Sequence, residues 1–301
     1  MIVVEQTRGP LVENLFRGDA AVVDATGKLL FGVGDPQKAT YWRSSAKPIQ
    51  AMPIVLSGAA DAFGFGPQHL AQFCASHNGE PVHTETVLDA MRLAGLSPDL
   101  LQCGPHLPFD RETAEAMTAA GEAPGRIHNN CSGKHTGMLA LAKHLGLPLD
   151  NYLDPESELQ RLIRANVADV VGLPEEQIAI GVDGCGVPVF GLPLHNMAYA
   201  FARLADPVHM PAGKEEAGRR FRDAMRQYPY LIAGKKRICT DLMTLPGAKL
   251  VAKSGAEGVY CVGVLAETVA ASPVLRDLGI TGAIGIAVKA EDGHKDVRHL
   301  V

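Results

Sequence analysis

The stretch from Arg43 to Lys47 places a serine and a lysine at a spacing that suits chemistry between them. It reads Arg-Ser-Ser-Ala-Lys and leads into a helical-looking run from Pro48 to Met52. Residues three apart share one face of a helix, so the Ser44 hydroxyl and the Lys47 amine can come within hydrogen-bond distance. A serine beside a neutral amine is a potential nucleophile with its own base. Alone, this motif is weak, because it occurs by chance on many solvated helices.

Two later stretches supply a second serine and a second lysine. Ser76-His77-Asn78 has the form Ser-x-Asn, and Lys253-Ser254-Gly255 has the form Lys-Ser-Gly. The three motifs follow the order found in serine β-lactamases and penicillin-binding proteins. Two positive amines near one pocket repel each other, which favours the neutral form of at least one of them. The sequence therefore predicts two Ser/Lys pairs, of which the first holds the nucleophile: Ser44 with Lys47, and Ser76 with Lys253.

Groups beside the predicted nucleophile could complete this pocket. Arg43 precedes Ser44 and could hold a substrate carboxylate through two parallel hydrogen bonds. The backbone amide of Ser44, with one from the Gly255-Ala256 strand, could bind an oxyanion.

A second cluster contains cysteines and a lysine. Cys131 and Lys134 are three residues apart, and Cys185 lies in a glycine-flanked loop. Two thiolates and a nitrogen suit zinc, with Asp183 or His135 available as an inner or outer partner. However, the cysteines do not form a Cys-x-x-Cys pair and lysine is an uncommon zinc ligand. The spacing alone therefore favours two ordinary buried cysteines over a metal site.

Composition restricts the range of partners. The chain has 301 residues, 47% of them hydrophobic, and a formal net charge of -5, with no basic stripe for nucleic acid. No apolar stretch is long enough to span a bilayer. The segment from Met1 to Gly9 lacks the pattern of a signal peptide, so we expect a cytoplasmic protein whose six cysteines are reduced, metal-bound or buried rather than bridged. A small-molecule substrate is the expected partner, rather than nucleic acid or a membrane.

The elements that must position these residues follow from periodicity. Apolar runs around the turn-rich segment 24–28 predict an antiparallel hairpin within 11–33, and three more strand-like runs lie at 249–253, 259–264 and 283–288. Helical spacing dominates between them, with helices predicted after Glu85, Cys131 and Ser157 and around Phe201 and Phe221. We therefore expect an α+β fold, with an antiparallel sheet built from both termini and a helical insertion lobe. The lobes, about 1–43 with 245–301 and about 44–244, would interleave in one catalytic domain.

Five motifs together resemble the rhizobial-type L-asparaginases: Tyr41-Trp42-Arg43-Ser44-Ser45-Ala46-Lys47-Pro48-Ile49-Gln50, Cys74-Ala75-Ser76-His77-Asn78-Gly79-Glu80, His128-Asn129-Asn130-Cys131-Ser132-Gly133-Lys134-His135, Asp183-Gly184-Cys185-Gly186-Val187-Pro188 and Ala252-Lys253-Ser254-Gly255-Ala256-Glu257-Gly258. The resemblance implies a β-lactamase-like or glutaminase-like fold, a homodimer, and hydrolysis of L-asparagine to L-aspartate and ammonia. It places the paired catalytic residues at Ser44, Lys47, Ser76 and Lys253.

The resemblance also implies a zinc site at Cys131, Lys134 and Cys185, which reverses the preference drawn from spacing. Asp183 and His135 would lie close to it. Together with Arg43, they are the candidates for binding the α-carboxylate and α-amino groups of the substrate. In this interpretation zinc orders the pocket and assists binding.

Two other interpretations stay open at the level of sequence. The same three motifs would serve a glutaminase or a penicillin-recognising peptidase or esterase, which a fluorogenic β-lactam would detect. A zinc-dependent binding or redox module would need Cys131 and Cys185 but not the serines. Asparagine and glutamine differ by one methylene, which is worth only about 1–3 kcal/mol in a pocket, so the motifs do not distinguish them.

Overall fold

The chain begins with strands that pair with strands from its other end. The computed structural model describes residues 1–247 and 249–293. Within these residues there are nine strands: β1 (Ile2–Arg8), β2 (Leu11–Asp24), β3 (Leu29–Val33), β4 (Ala39–Tyr41), β5 (Ala179–Val182), β6 (Pro188–Pro193), β7 (Leu250–Ser254), β8 (Val259–Val264) and β9 (Ile284–Ala290).

The main sheet is antiparallel and has the order β1-β2-β9-β8-β7, with β3 also paired to β2. The N-terminal strand β2 and the last described strand, β9, meet along the pairs from Gly18 with Ala290 to Asp24 with Ile284. This confirms the predicted α+β fold with a sheet built from both termini. The hairpin expected within 11–33 is confirmed as β2 and β3, and the three C-terminal runs form β7, β8 and β9.

A smaller sheet was not predicted. It has the order β4-β6-β5, and its strands pair antiparallel, with Tyr41 opposite Gly191 and Val182 opposite Pro188. Strands β5 and β6 come from the middle segment, which therefore contains strands as well as helices. This sheet leads directly into the segment that carries Ser44.

The described residues also contain fourteen α-helices: α1 (Lys47–Ala51), α2 (Pro53–Leu56), α3 (Ala59–Ala62), α4 (Pro67–Phe73), α5 (Pro81–Leu93), α6 (Arg111–Ala119), α7 (Ser132–His144), α8 (Glu158–Val171), α9 (Leu194–Ala205), α10 (Glu215–Gln227), α11 (Pro229–Ala233), α12 (Ile238–Met243), α13 (Ala266–Ala271) and α14 (Pro273–Asp277). Five short 3-10 segments accompany them: Arg43–Ala46, Pro98–Leu100, Arg126–His128, Glu175–Gln177 and Pro207–His209.

The five predicted helices are confirmed as α5, α7, α8, α9 and α10. Helix α8 shows why local sequence was informative. The Ser157 side chain accepts a hydrogen bond from the Gln160 amide, Glu158 lies in the first turn, and Gly172 ends the helix in the left-handed region. None of the described helices is both long enough and apolar enough to cross a membrane.

Helix α9 covers the sheet and fixes the start of the segment that carries Ser44. Gly285 and Gly263 allow a close approach, because a Cβ atom at either position would overlap a carbonyl oxygen of α9. Trp42 is fully buried against Phe201 of α9, with ring centroids 6.4 Å apart, and its Nε1 lies 3.4 Å from Cys261 Sγ on β8. The residue two positions before Ser44 is therefore anchored in the core.

The division into two interleaved lobes stays a prediction. The last eight residues of the predicted sheet lobe, 294–301, lie outside the described residues.

Candidate active site

Lys47 begins helix α1 and extends its side chain into the core. Its side chain is fully buried, and Nζ lies 2.5 Å from the Ala75 carbonyl oxygen, 2.9 Å from Ser76 Oγ and 3.2 Å from Cys131 Sγ. A buried amine needs such partners, because without them it would be desolvated with no compensation. Lys47 therefore connects the second serine motif to the cysteine cluster.

Ser76 lies between two lysines. Its Oγ is 2.9 Å from Nζ of Lys47 and 2.9 Å from Nζ of Lys253, and Lys253 comes from strand β7. Lys253 is also fully buried, and its second partner is the Ser254 carbonyl oxygen at 2.8 Å. Burial, with the nearby charge of Lys47, lowers the pKa of Lys253 to about 7. Lys253 is thus an amine that can be neutral, and can act as a base, near neutral pH.

Ser44 lies in the 3-10 segment Arg43–Ala46, between two neighbours that are fixed. Ser45 is fully buried and its Oγ donates to the Lys253 carbonyl oxygen at 2.8 Å, while Arg43 Nε donates to Asp183 at 2.9 Å. The Ser44 side chain is only half-buried, unlike those of Ser45 and Ser76. The three-residue spacing predicted a contact between Ser44 and Lys47, but among the residues that the structure describes no hydrogen bond joins them. The Lys47 amine is drawn instead to the carbonyl and hydroxyl groups of residues 75 and 76.

The predicted cysteine cluster is assembled at the start of helix α7. Gly133 allows this helix to lie against Gln72, because a Cβ atom there would overlap the Gln72 carbonyl oxygen. Lys134 Nζ donates to Cys185 Sγ at 3.0 Å, and both side chains are buried. A hydrogen bond from the Cys131 thiol, with the charge of Lys134, lowers the pKa of Cys185 to about 4. The same contact raises the pKa of Cys131 to about 12. The cluster thus holds one thiolate, one thiol and one ammonium group.

These three residues fit zinc as a donor set. In a tetrahedral site a nitrogen and a sulfur ligand are about 3.6 Å apart, so Lys134 and Cys185 would have to separate by roughly half an ångström, and Cys131 and Lys134 would each lose a proton. Within residues 1–247 and 249–293, no group of three or more His, Cys, Asp or Glu side chains is arranged to hold a metal ion. A metal here would therefore need the lysine as its third protein ligand.

The three predicted substrate-binding residues differ in their availability. Burial alone would raise the pKa of Asp183, but Lys134 and Arg43 lower it below its usual range, so this carboxylate is charged. The Arg43 guanidinium is shared between Asp183, at 2.9 Å, and Glu257, at 3.7 Å. His135 is fully buried, and its Nδ1 lies 2.8 Å from the Tyr152 hydroxyl, whereas Nε2 has no hydrogen-bond partner among the described residues. Burial lowers the pKa of His135 to about 3, so it is a neutral imidazole.

Two further groups around the site carry information that sequence spacing did not. The Gly255 amide donates to the Val259 carbonyl at 2.7 Å, so of the Gly255-Ala256 pair only Ala256 could contribute to an oxyanion site.

Arg237, just before helix α12, donates from a guanidinium nitrogen to Asn78 Oδ1 at 2.8 Å. An isolated arginine between Lys236 and Ile238 has no spacing signal, so only its contact with the Ser-x-Asn motif could have revealed it.

Solved structures with a related arrangement of elements have low sequence identity to this chain. A β-lactamase from Mycobacterium bovis is 14% identical, with a TM-score of 0.40, and the match covers 93% of this chain and 89% of that one. A β-lactamase from Desulfarculus baarsii is 14% identical, with a TM-score of 0.42 and coverages of 95% and 88%. A Bacillus glutaminase is 14% identical, with a TM-score of 0.37 and coverages of 93% and 85%. Likenesses this distant carry no argument about activity.

Sequence comparison gives a clearer result. No curated protein sequence matches the chain significantly. The family model described as L-asparaginase II matches residues 4–301, which is nearly the whole chain and includes every predicted site residue. The chain therefore belongs to the L-asparaginase II family.

Proposed function

We propose that this protein hydrolyses the side-chain amide of L-asparagine to give L-aspartate and ammonia. Membership of the family supports an amidohydrolase of the asparaginase type. The observation that carries the catalytic assignment is Ser76 Oγ, which lies 2.9 Å from two buried lysine amines, one of them on Lys47, three residues after the half-buried Ser44.

In the proposed first step, Ser44 Oγ attacks the amide carbon and Lys47 accepts the hydroxyl proton. For this step the Lys47 amine must be neutral. The Lys47 ammonium can donate a proton to Ser76 Oγ while the Ser76 hydroxyl donates its own proton to the neutral Lys253 amine. The Lys47 amine also turns from Ser76 toward Ser44, because catalytic hydrogen bonds are often poorly aligned without substrate. The developing oxyanion would be bound by the backbone amides of Ser44 and Ala256.

In the following steps the tetrahedral intermediate expels the amide nitrogen, which takes up a proton from the lysine relay and leaves as ammonia. The C–N bond breaks and an aspartyl ester of Ser44 remains. A water molecule then attacks the ester carbon, and the same amines accept its proton. The Ser44 oxygen leaves as a hydroxyl group, which restores the enzyme.

The second candidate nucleophile is Ser76, because its hydroxyl is the one hydrogen-bonded to both lysines in the described structure. Ser44→Ala and Ser76→Ala distinguish the two. With Ser44 as the nucleophile, Ser44→Ala removes ammonia release and leaves no aspartyl adduct in mass spectra of acid-quenched reactions. Ser76→Ala would be slower but would still form the adduct. Retention of most of the rate by Ser44→Ala would reject our assignment.

Cys131, Lys134 and Cys185 are the residues that would hold zinc in this proposal. Bound there, zinc would supply a Lewis-acid position for a polar group of the substrate and would order the pocket around it. The remaining chemistry is assigned to the serine and lysine side chains. Glutamine is the alternative substrate, so ammonia release is measured with both amides in the same preparation, after metal analysis.

We further expect a homodimer, with the ribbon formed by β1 and β2 up to Arg17 as the contact surface. A two-stranded ribbon alone is marginally stable in water, and this one exposes large apolar side chains: Ile2 43%, Val3 42%, Leu11 72%, Val12 49% and Leu15 48%. Strand β1 pairs only with β2 among the described strands, so its outer edge can accept a second copy. The ribbon's two glutamates and two arginines balance, so two copies would not repel: Glu5, Arg8, Glu13 and Arg17.

Analytical ultracentrifugation tests this surface. Leu15→Glu should give monomers, whereas Leu278→Glu, at a similarly exposed position outside the ribbon, should not. A monomeric wild-type protein, or a Leu15→Glu dimer of unchanged affinity, would count against it.

A further inference from the structure

Arg237 is held beside the catalytic groups from two sides. On one side its guanidinium donates to Asn78 Oδ1 at 2.8 Å, and Asn78 is two residues after Ser76. On the other side Cys239, two residues after Arg237, accepts a hydrogen bond from the Ser254 amide at 3.2 Å. Ser254 follows Lys253 directly. Arg237 is thus positioned by the same two segments that supply Ser76 and Lys253.

Most of the N–H donors of the Arg237 guanidinium are not used in hydrogen bonds to the described residues. It has five N–H donors, and among the described residues only the bond to Asn78 uses one of them. Its side chain is half-buried, and its central carbon lies 5.9 Å from the centre of the exposed Phe109 ring. This contact limits the orientations of the guanidinium without neutralising its charge. The group is therefore both positioned and accessible.

The charge of Arg237 is not paired, in contrast to that of Arg43. Arg43 lies 2.9 Å from Asp183 and 3.7 Å from Glu257, whereas no carboxylate in the described part of the chain lies within 4.0 Å of Arg237. The positive charge of Arg237 also contributes to the lowered pKa of Lys253, after burial and Lys47. A positive group close to a neutral amine and without an acidic partner suits a ligand that brings its own negative charge.

We propose that Arg237, rather than Arg43, binds the α-carboxylate of the amino-acid substrate, with Asn78 as the residue that positions the guanidinium. This inference rests on the proposed function, because it assigns a contact to the substrate of that same site. The assignment also gives a role to Asn78 of the Ser-x-Asn motif, because Asn78 takes no part in the proposed proton transfers. Arg43 then serves to hold Asp183 and the start of the Ser44 segment.

The test compares Arg237→Gln with Arg43→Gln and with Lys236→Gln, which removes an exposed neighbouring charge. For L-asparagine we expect Arg237→Gln to raise KM by about 10- to 100-fold, the loss typical of a hydrogen bond to a charged group, with little change in kcat. 3-Aminopropanamide has the same amide and amine without the carboxylate. Its kcat/KM, or its inhibition constant if turnover is slow, should be unchanged by Arg237→Gln. Lys236→Gln should behave like the wild type.

Several outcomes would overturn the assignment. Equal weakening of both compounds by Arg237→Gln would mean that the residue is structural, and selective weakening by Arg43→Gln alone would transfer the role to Arg43. If the wild type releases no ammonia from asparagine, the proposed function fails separately. Calorimetric binding of L-aspartate then decides on Arg237. Binding that Arg237→Gln weakens supports its role, whereas no binding, or binding that the variant retains, contradicts it.

Discussion

Lys253 and Lys134 are both almost completely buried, yet their pKa values are displaced in opposite directions. Lys253 has a hydroxyl and a carbonyl as partners, so burial dominates and lowers its pKa to about 7. Burial acts on Lys134 in the same way, but Cys185, Cys131 and Asp183 outweigh it and raise the pKa of the amine. The difference teaches that the charge of the partners, and not depth in the core, decides which lysine can act as a base.

The largest effect should come from removing the neutral amine. Lys253→Met keeps the length of the side chain but takes away the group that draws a proton through Ser76. We expect kcat for ammonia release to fall by about 10²- to 10⁴-fold, the range of a general base, with no loss of thermal stability. Lys249→Met, an exposed position one residue before the same strand, is the matched control. A Lys253→Met enzyme with nearly full activity would mean that the amine is structural.

Removing the charged amine should act on stability. Lys134→Met leaves the Cys185 thiolate buried without its cation, and breaking a buried ion pair in this way costs about 3–5 kcal/mol. Because Cys185 can take up a proton in response, we expect the lower end of this range and a decreased Tm in thermal unfolding. Lys143→Met, on the exposed face of the same helix, should leave Tm nearly unchanged. An unaltered Tm for Lys134→Met would contradict the ion-pair interpretation.

The pH dependence of activity should report Lys253. Its active form is the neutral amine, so below its pKa of about 7 the competent fraction falls tenfold per pH unit, and kcat/KM should rise with pH to a plateau above about pH 7. Acid inactivation of the fold is excluded by checking that full activity returns at pH 8. A profile that stays flat from pH 5 to 8 would show that no group of this kind limits catalysis.

Metal removal should have the smallest effect on the chemical step. After chelation, with metal loss verified by elemental analysis, we expect KM for L-asparagine to rise more than kcat falls. Tm should decrease in the metal-free protein and recover on adding zinc. If apparent affinity and Tm both stay constant after verified loss, zinc has no role in this pocket.

The sequence predicted most of the main sheet because its strands have apolar runs bounded by turn residues. Strand β1 was missed because both of its faces are exposed, so its sequence lacks the alternation of apolar and polar residues that is typical of a half-buried strand. Strands β5 and β6 were missed because each is short and lies within a helical stretch. Local patterns do not reveal such pairings, which depend on contacts between distant parts of the chain.

The site was more predictable where several motifs together indicated one pocket than where a single contact was inferred from local spacing. Lys253 Nζ lies 2.9 Å from Ser76 Oγ, and the three motifs together had indicated a shared pocket for these two residues. The expected bond between Ser44 and Lys47 followed from helical spacing alone, and the competing groups at Ala75 and Ser76 override it. Arg237 had no signal because its partner Asn78 is 159 residues away in the chain.

The position of β7 at the end of the main sheet has a consequence for biosynthesis. Within this sheet, β7 is connected to the N-terminal strand β2 through β8 and then β9, which both follow Lys253 in the chain. On the ribosome, β2 and β7 therefore cannot be joined within this sheet until β9 has been synthesised. Under the proposed mechanism, the complete Ser/Lys site would therefore form only after the C-terminal strands have been synthesised.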